Sequence, residues 1–308
     1  MRRLIPLVVI AAALVLAPEA FADLISPESG GSDNANDIDS LYKITLYIGL
    51  VVFLLVESVL IYSLIKFRAR RHGPDAAQIR GNTPLEISWT VGAALILVVI
   101  ATVTFIFLPG IKDPPASKTA PLEAAEGVDF ATINQKEPPG DNALKISVNS
   151  QQYIWRYDYE GQKDQLFSFH TLYVPVNTTV TLTIQSADVV HSWWVPQLGG
   201  KVDAVPGHVN ETWFRAEEEG TYDGVCAELC GEGHADMRTR VVVLPADDYE
   251  TWVEQQTADI KAAQTGLAEQ RKQREAADKS AGEDTPAEQK KTAKDEKHPQ
   301  PPPQETEG

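Results

Sequence analysis

The chain has 308 residues, 43% of them apolar, and carries a formal net charge of −16 at pH 7. An acidic balance of this size argues against nucleic acid as a partner, because proteins bind phosphates through Lys and Arg. It suits a basic partner attracted by long-range electrostatics, although plain solubility is the simpler interpretation of composition alone.

Residues 1–22 have the pattern of a secretory signal. Two arginines near the start precede an apolar run over residues 4–16, and small residues alternate at Ala20 and Ala22. A third membrane helix is the alternative, but the apolar run is too short to span a bilayer comfortably. We therefore predict cleavage after Ala22, followed by a polar external leader over residues 23–40.

Two apolar runs of 22 residues each predict a two-helix transmembrane hairpin within residues 41–110. They extend from Ile44 to Ile65 and from Ile87 to Leu108. At about 1.5 Å per residue each run reaches about 33 Å, which spans the hydrocarbon core. The segment between them carries five basic side chains, namely Lys66, Arg68, Arg70, Arg71 and Arg80. By the positive-inside rule this loop faces the cytoplasm, so both ends of the hairpin face outward.

The composition and the hydrophobic pattern of the sequence change after the hairpin. Residues 111–143 contain five prolines and predict a linker. From residue 144, short stretches of alternating apolar and polar residues are separated by Pro and Gly, which is typical of strands in a sandwich or barrel. The predicted strands cover residues 144–148, 166–169, 179–184, 212–215 and 238–243. We predict an all-β domain over 144–255 and a charged tail over 256–308, helical to about residue 275 and then disordered.

The segment from Cys226 to Met237 concentrates soft metal ligands between two predicted strands. Its twelve residues also include Cys230 and His234, and His191 lies upstream. Thiolate, thioether and imidazole together favour copper, whereas a zinc site would rarely use methionine. A mononuclear blue-copper site needs only one cysteine. The second cysteine is surplus in such a site. If both sulfurs bridge two copper ions, each ion also receives one histidine and every soft ligand is used.

The outer positions of such a pair would be filled by weak ligands, Met237 and the backbone carbonyl of Glu228. A Cys226–Cys230 disulfide is the alternative, because the external compartment is oxidising. That bridge would close a very short loop and would stabilise little through chain entropy. The nearby His234 and Met237 favour copper over the disulfide.

The segment Cys226–Met237 resembles the copper A loop of the cytochrome oxidase subunit II family. Residues 188–196 are similar to the family's first-histidine segment, and 198–207 and 220–226 also fit. The resemblance covers about residues 40–255, both anchor helices included. It implies an all-β, cupredoxin-like Greek-key barrel on the external side of the bacterial plasma membrane, held by the transmembrane hairpin.

The resemblance also implies a function, that of subunit II in an aa3-type-like cytochrome c oxidase. Electrons would pass from cytochrome c through two copper ions to haem on subunit I, where oxygen is reduced to water and protons are pumped. Partners would be subunit I, subunit III and membrane lipid. The side chain of Glu228 would bind magnesium at the subunit I interface. Haem would lie on the partner subunit, since this chain has no haem-attachment motif.

Further positions take roles from the same resemblance. Glu86 stands where the family has a glutamate at the mouth of a proton path, with an ordinary interfacial carboxylate as the alternative. Tyr153 stands where many members have the tryptophan that receives electrons, and Trp155 is either a second candidate or a packing residue. Carboxylates flanking the motifs would form a docking patch for a basic cytochrome c. They are Asp158, Glu160, Asp188, Asp203 and Glu211.

Three other functions share parts of this pattern. A quinol-oxidase subunit has the same architecture but lacks the copper ligands, so Cys226, Cys230 and His234 speak against it. A membrane-tethered mononuclear cupredoxin would hold one copper ion instead of two. A copper A domain that serves nitric or nitrous oxide reduction would differ on another subunit, and here the two-helix anchor and the Glu86 segment favour oxygen.

Overall fold

The computed structural model describes residues 28, 30–68, 78–118, 138–139, 142–161 and 165–283. The described residues divide into two units at the boundary between residues 254 and 255. The predicted signal and the predicted disordered end of the tail lie outside the described residues.

Two helices, α1 (Asp33–Lys66) and α2 (Thr83–Lys112), are long and apolar enough to cross a membrane. Their most apolar windows have mean hydropathies of 2.5 and 2.8, and none of those side chains is buried within the chain. Such surfaces suit contact with lipid or with other membrane helices. Asn82 begins α2 sharply, because its side chain accepts the Leu85 N–H at 3.3 Å. The predicted transmembrane hairpin is confirmed.

Helix α1 begins at Asp33, so residues 33–40 are helical although the sequence places them in the external leader. Packing holds this polar start. Asn34 is buried and donates its side-chain N–H to the Trp213 carbonyl at 2.8 Å. Arg215 forms an ion pair with Asp33. Hydropathy locates the apolar part of a helix, but it does not reveal polar turns that tertiary contacts stabilise.

The β-domain has ten strands within the described residues, arranged in two five-stranded sheets. The strands are β1 (Leu144–Gln151), β2 (Ile154–Tyr159), β3 (Leu166–Phe169), β4 (Thr171–Pro175), β5 (Thr179–Ser186), β6 (His191–Trp194), β7 (Val202–Ala204), β8 (Asn210–Arg215), β9 (Gly220–Cys226) and β10 (Arg238–Leu244). The sheet orders are β3-β2-β1-β5-β8 and β4-β10-β9-β6-β7. Strands β1 and β5 are parallel, as are β4 and β10, and the other pairs are antiparallel. This is the predicted cupredoxin-like Greek-key barrel.

The core lies between the two sheets and follows from strand alternation. On β2 every second side chain faces inward, and Trp155 and Tyr157 are fully buried. The Tyr157 hydroxyl accepts the indole N–H of Trp193 at 3.0 Å and also bonds with Thr239. These bonds satisfy polar atoms that would otherwise be costly to bury.

The third helix, α3 (Ala246–Glu283), follows β10 and ends eight residues beyond the predicted end near 275. Its sequence is rich in Ala, Glu, Gln, Lys and Arg, which favour helix without requiring burial. Trp252 stacks on Tyr173 with ring centroids 4.6 Å apart and lies 5.2 Å from the Tyr159 ring. This aromatic cluster fixes the first turns of α3 to β2 and β4.

Candidate metal centre

Neighbouring strands bring the candidate ligands to one end of the β-domain. His191 is the first residue of β6, and Cys226 is the last residue of β9. The two strands are antiparallel, with Trp193 opposite Cys226. The other candidates follow Cys226 in the loop that leads to β10, and Met237 is fully buried there.

The ligand atoms form a compact group around two sulfurs. Cys226 Sγ lies 3.9 Å from Cys230 Sγ and 3.9 Å from His191 Nδ1. Cys230 Sγ lies 3.7 Å from His234 Nδ1 and 3.8 Å from Met237 Sδ. Each sulfur therefore has one imidazole nitrogen beside it, and the thioether stands next to the second sulfur.

Glu228 contributes its backbone to this group. Its carbonyl oxygen lies 3.3 Å from Cys226 Sγ, while its side chain is exposed. One residue thus presents a neutral oxygen to the sulfurs and a carboxylate to the surface.

This set of residues fits a soft metal better than a disulfide. Both cysteines are free, and their 3.9 Å separation is far longer than a disulfide bond of about 2.05 Å. Donor atoms of His191, Cys226 and Cys230 all lie within 4.8 Å of one another, and all three residues are buried. Buried, closely spaced thiol and imidazole donors are the ligands that copper prefers.

Burial, and next the neighbouring Cys226 sulfur, raise the pKa of Cys230 to about 11. The metal-free thiol is therefore protonated at neutral pH. Because a metal binds the thiolate, loading this centre must displace a proton.

Asp188 orients the first histidine. Its Oδ1 lies 3.0 Å from His191 Nε2, which leaves Nδ1 to face the sulfur of Cys226. Burial alone would raise the pKa of Asp188, but hydrogen bonds from Gln152 N, His191 and Val189 N lower it to about 2. The carboxylate is therefore ionised at neutral pH and favours the tautomer with the proton on Nε2. The sequence predicts Asp188 only as a docking residue.

The two aromatic candidates have different environments. Tyr153 lies against the ligand loop, because a Cβ added to Gly233 would come within 2.6 Å of its ring. It is partly exposed. Trp155 is fully buried and meets the His191 ring edge-on, with centroids 6.0 Å apart. A docking protein can therefore touch Tyr153 but not Trp155.

The predicted docking carboxylates are spread over the β-domain. Asp203 is exposed and lies opposite Ser192 in the pairing of β6 with β7. Ser192 directly follows His191 in the chain. Glu160 follows the far end of β2, about 20 Å from the ligand end at about 3.3 Å per residue. Burial raises the pKa of Glu160. Asp203 is thus much better placed than Glu160 to act near the centre.

The two other predicted docking carboxylates, Asp158 and Glu211, have different surroundings. Asp158 forms an ion pair with Arg156 at 2.6 Å. Glu211 lies on β8 opposite Thr183 and lines a cavity of about 280 Å³ near the ends of α1 and α2.

Glu86 lies in the first turn of α2 and is exposed. Its Oε1 accepts the backbone N–H of Asn82 at 3.1 Å, so it caps the helix that begins there. The carboxylate also lies at the end of α2 nearest the basic connecting loop.

Both parts of the chain match one family. Residues 25–107 match "Cytochrome C oxidase subunit II, transmembrane domain", and residues 159–244 match "Cytochrome C oxidase subunit II, periplasmic domain". The cytochrome c oxidase subunit 2 of Alkalihalophilus pseudofirmus is 36% identical over 227 residues, which are 72% of this chain and 59% of that protein. The match thus spans less than two thirds of that relative.

A second relative is covered more fully. The cytochrome c oxidase subunit 2 of Cereibacter sphaeroides is 32% identical over 267 residues, 80% of this chain and 87% of that protein. The solved periplasmic domain of subunit II of cytochrome oxidase from Bradyrhizobium japonicum is 31% identical, covering 38% of this chain and 94% of that domain, with a TM-score of 0.36. The sequence matches over both the helices and the β-domain show that this chain belongs to the cytochrome c oxidase subunit II family.

Proposed function

We propose that this chain accepts electrons from a cytochrome c at a binuclear copper centre. It would then deliver them to haem on subunit I of an aa3-like proton-pumping oxidase. Family membership supports a place in an oxidoreductase complex. The observation that carries the proposal is the pair of free sulfurs 3.9 Å apart, each beside one imidazole nitrogen.

Each ligand has a distinct task in this proposal. Cys226, Cys230, His191 and His234 would hold the two ions, since each sulfur has one imidazole nitrogen beside it. Met237 Sδ and the Glu228 carbonyl would add weaker ligand atoms. Copper held in this way would supply one-electron redox chemistry. Burial of His191, Cys226, Cys230 and Met237 keeps water from these four residues, whereas His234 is partly exposed.

The proposed orientation places the β-domain outside the cytoplasm. Trp213 donates its indole N–H to the Ile111 carbonyl at 3.0 Å, and its own carbonyl accepts the Asn34 amide. The β-domain therefore sits at the start of α1 and the end of α2, opposite the basic loop that joins them. Since basic loops favour the cytoplasmic side, we place the domain and both mature termini on the periplasmic side of the bacterial plasma membrane.

Other proposed contacts depend on the complex. The exposed carboxylate of Glu228 would bind a magnesium ion shared with subunit I. Glu86, near the cytoplasmic end of α2, would receive protons for that subunit. Partner subunits of the oxidase and lipid would cover the apolar side chains of α1 and α2, which are exposed in the chain alone.

Copper stoichiometry tests the central proposal. In the full chain purified in detergent and loaded with copper, we expect two copper ions per chain. The electron paramagnetic resonance spectrum should show one unpaired electron shared by both nuclei. One localised copper ion would instead support a mononuclear carrier. Absence of copper together with a Cys226–Cys230 disulfide would refute the proposal.

Docking of a basic cytochrome c should depend on charge close to the centre. We expect Asp203→Asn to slow cytochrome c oxidation by about two- to fivefold at low ionic strength and to have little effect at high salt. Glu160→Gln is the matched control, because it removes an equal charge at the far end of β2. Stopped-flow rates at several salt concentrations measure both. Equal slowing by the two variants would contradict a patch centred on the ligand end.

A further inference from the structure

Gln152 lies in the turn between β1 and β2, beside the candidate metal centre. Its side-chain N–H donates to the backbone carbonyl of Cys230 at 2.6 Å. Its backbone N–H donates to Asp188 Oδ2 at 2.8 Å, and the other oxygen of Asp188 bonds His191. One residue therefore contacts both segments that carry the candidate ligands.

These segments come from separate parts of the fold. His191 opens β6 after the β5–β6 loop, whereas Cys230 lies in the loop between β9 and β10. The Gln152 turn belongs to the other sheet, at the start of β2. Three loops thus meet at one end of the barrel, and the hydrogen bonds of Gln152 join them.

The ligand loop is shaped to approach this turn closely. Gly231 has a φ of +127°, a conformation that L side chains rarely adopt. A Cβ on it would lie 2.5 Å from the Tyr153 hydroxyl and 2.9 Å from Gln152 Nε2. The glycine therefore lets the loop backbone approach the amide.

The side chain of Gln152 holds the Cys230 backbone, and the backbone N–H of Gln152 holds Asp188. The Cys230 carbonyl belongs to the same residue as the sulfur that lies closest to His234 and Met237. Holding that carbonyl restricts the backbone from which the sulfur projects. The Asp188 bond restricts the imidazole on the opposite side of the group.

We propose that Gln152 is a positioning residue for the copper centre. Its amide fixes the Cys230 backbone relative to the Asp188–His191 pair, so that the sulfurs and imidazoles keep their spacing. The inference rests on the proposed function, because it assigns Gln152 to that same centre. Hydrogen bonds that orient ligands in this way typically change metal affinity by about 10- to 100-fold when they are removed.

Gln152→Met tests the side-chain bond alone. Methionine has a similar length and retains the backbone N–H that Asp188 accepts, but it cannot donate to the Cys230 carbonyl. In the full chain in detergent, we expect two copper ions to bind. Affinity in competition with a copper chelator should fall by about tenfold. The hyperfine pattern in electron paramagnetic resonance should also change.

Gln185→Met is the matched control. Gln185 lies on β5 and donates its amide to Asn149 Oδ1 at 2.7 Å, so the variant loses a comparable bond within the sheet. It should keep the wild-type affinity and spectrum. Gln152→Asn is a second variant, for use if Gln152→Met does not fold. Its side chain is one carbon shorter, so its amide should not reach the Cys230 carbonyl, and we expect the same spectral change.

The outcomes separate the two proposals. Wild-type affinity and spectrum in both Gln152 variants would overturn the positioning role while leaving the binuclear centre intact. Equal changes in Gln152→Met and Gln185→Met would also overturn it, since they would reflect general destabilisation. A wild-type chain that does not hold two copper ions would refute the proposed function itself.

Discussion

Replacing Cys230 with serine is expected to remove the proposed binuclear centre and to lower electron transfer from cytochrome c by more than about 100-fold. Its sulfur lies next to three other candidate ligand atoms, on Cys226, His234 and Met237. Serine is nearly isosteric but supplies a hard hydroxyl that copper binds poorly in place of a thiolate. Since loss of an outer hydrogen bond already costs about 10- to 100-fold in affinity, loss of a sulfur proposed to bind both ions should cost more.

Copper per chain, the electron paramagnetic resonance spectrum and oxygen uptake by the assembled oxidase measure this effect. Leu229→Ala is the matched control, because Leu229 lies in the same loop and its side chain is 78% exposed. It should keep two copper ions. Full copper content and normal oxygen uptake in Cys230→Ser would show that its sulfur is not a ligand.

Trp155→Ala is expected to destabilise the β-domain by about 3–5 kcal/mol, the usual cost of removing a large aromatic side chain from a core. Domains of this size have only about 5–15 kcal/mol of stability, so part of the population would unfold on mild heating. The cavity would open beside His191, whose ring the indole contacts edge-on. Copper binding should therefore weaken along with stability.

Trp155→Phe separates packing from electron transfer. The indole N–H is buried without a hydrogen-bond partner among the described residues, so phenylalanine removes an unpaired donor while it keeps much of the ring. We expect near-normal cytochrome c oxidation and a smaller loss of stability. A large fall in the oxidation rate with normal unfolding and copper content would instead assign Trp155 to the electron path.

Denaturant unfolding of the full chain, followed by near-ultraviolet circular dichroism, measures both tryptophan variants. Phe169→Ala is the control, since this aromatic lies on β3 of the same sheet but is 50% exposed. It should cost less than about 1 kcal/mol. An equal cost for Phe169→Ala and Trp155→Ala would contradict the packing role of Trp155.

Much of the fold follows from local pattern. The two membrane helices were predictable because an apolar run of bilayer length has few other uses. Strands β1, β5 and β10 were predictable because one face of each is buried and their residues alternate. Strand β6 was not, since three of its four residues, His191, Ser192 and Trp193, are buried in succession and give no alternation. Strand β9 contains two glycines and an exposed aspartate, Asp223, which hide its period.

The candidate site also contains some residues that the sequence identifies and others that only the structure reveals. Cys226, Cys230, His234 and Met237 are chemically distinctive and close in sequence, so their types and spacing suffice to select them. The contacts of Gln152 depend on a turn from the other sheet, and a lone glutamine carries no sequence signal for a metal centre. Asp188 gave only a charge, because its bond to the imidazole appears once the β5–β6 loop is folded.

The two backbone-linked hydrogen bonds of Trp213 affect how the chain can respond to membrane thickness. Helices adapt to membrane thickness by tilting, but here the end of α2 and the start of α1 are both bonded to this one residue. A tilt of either helix must therefore move the barrel or break a hydrogen bond. The position of the proposed copper ligands relative to the bilayer is thus coupled to the hairpin, and a thicker or thinner membrane would strain these hydrogen bonds.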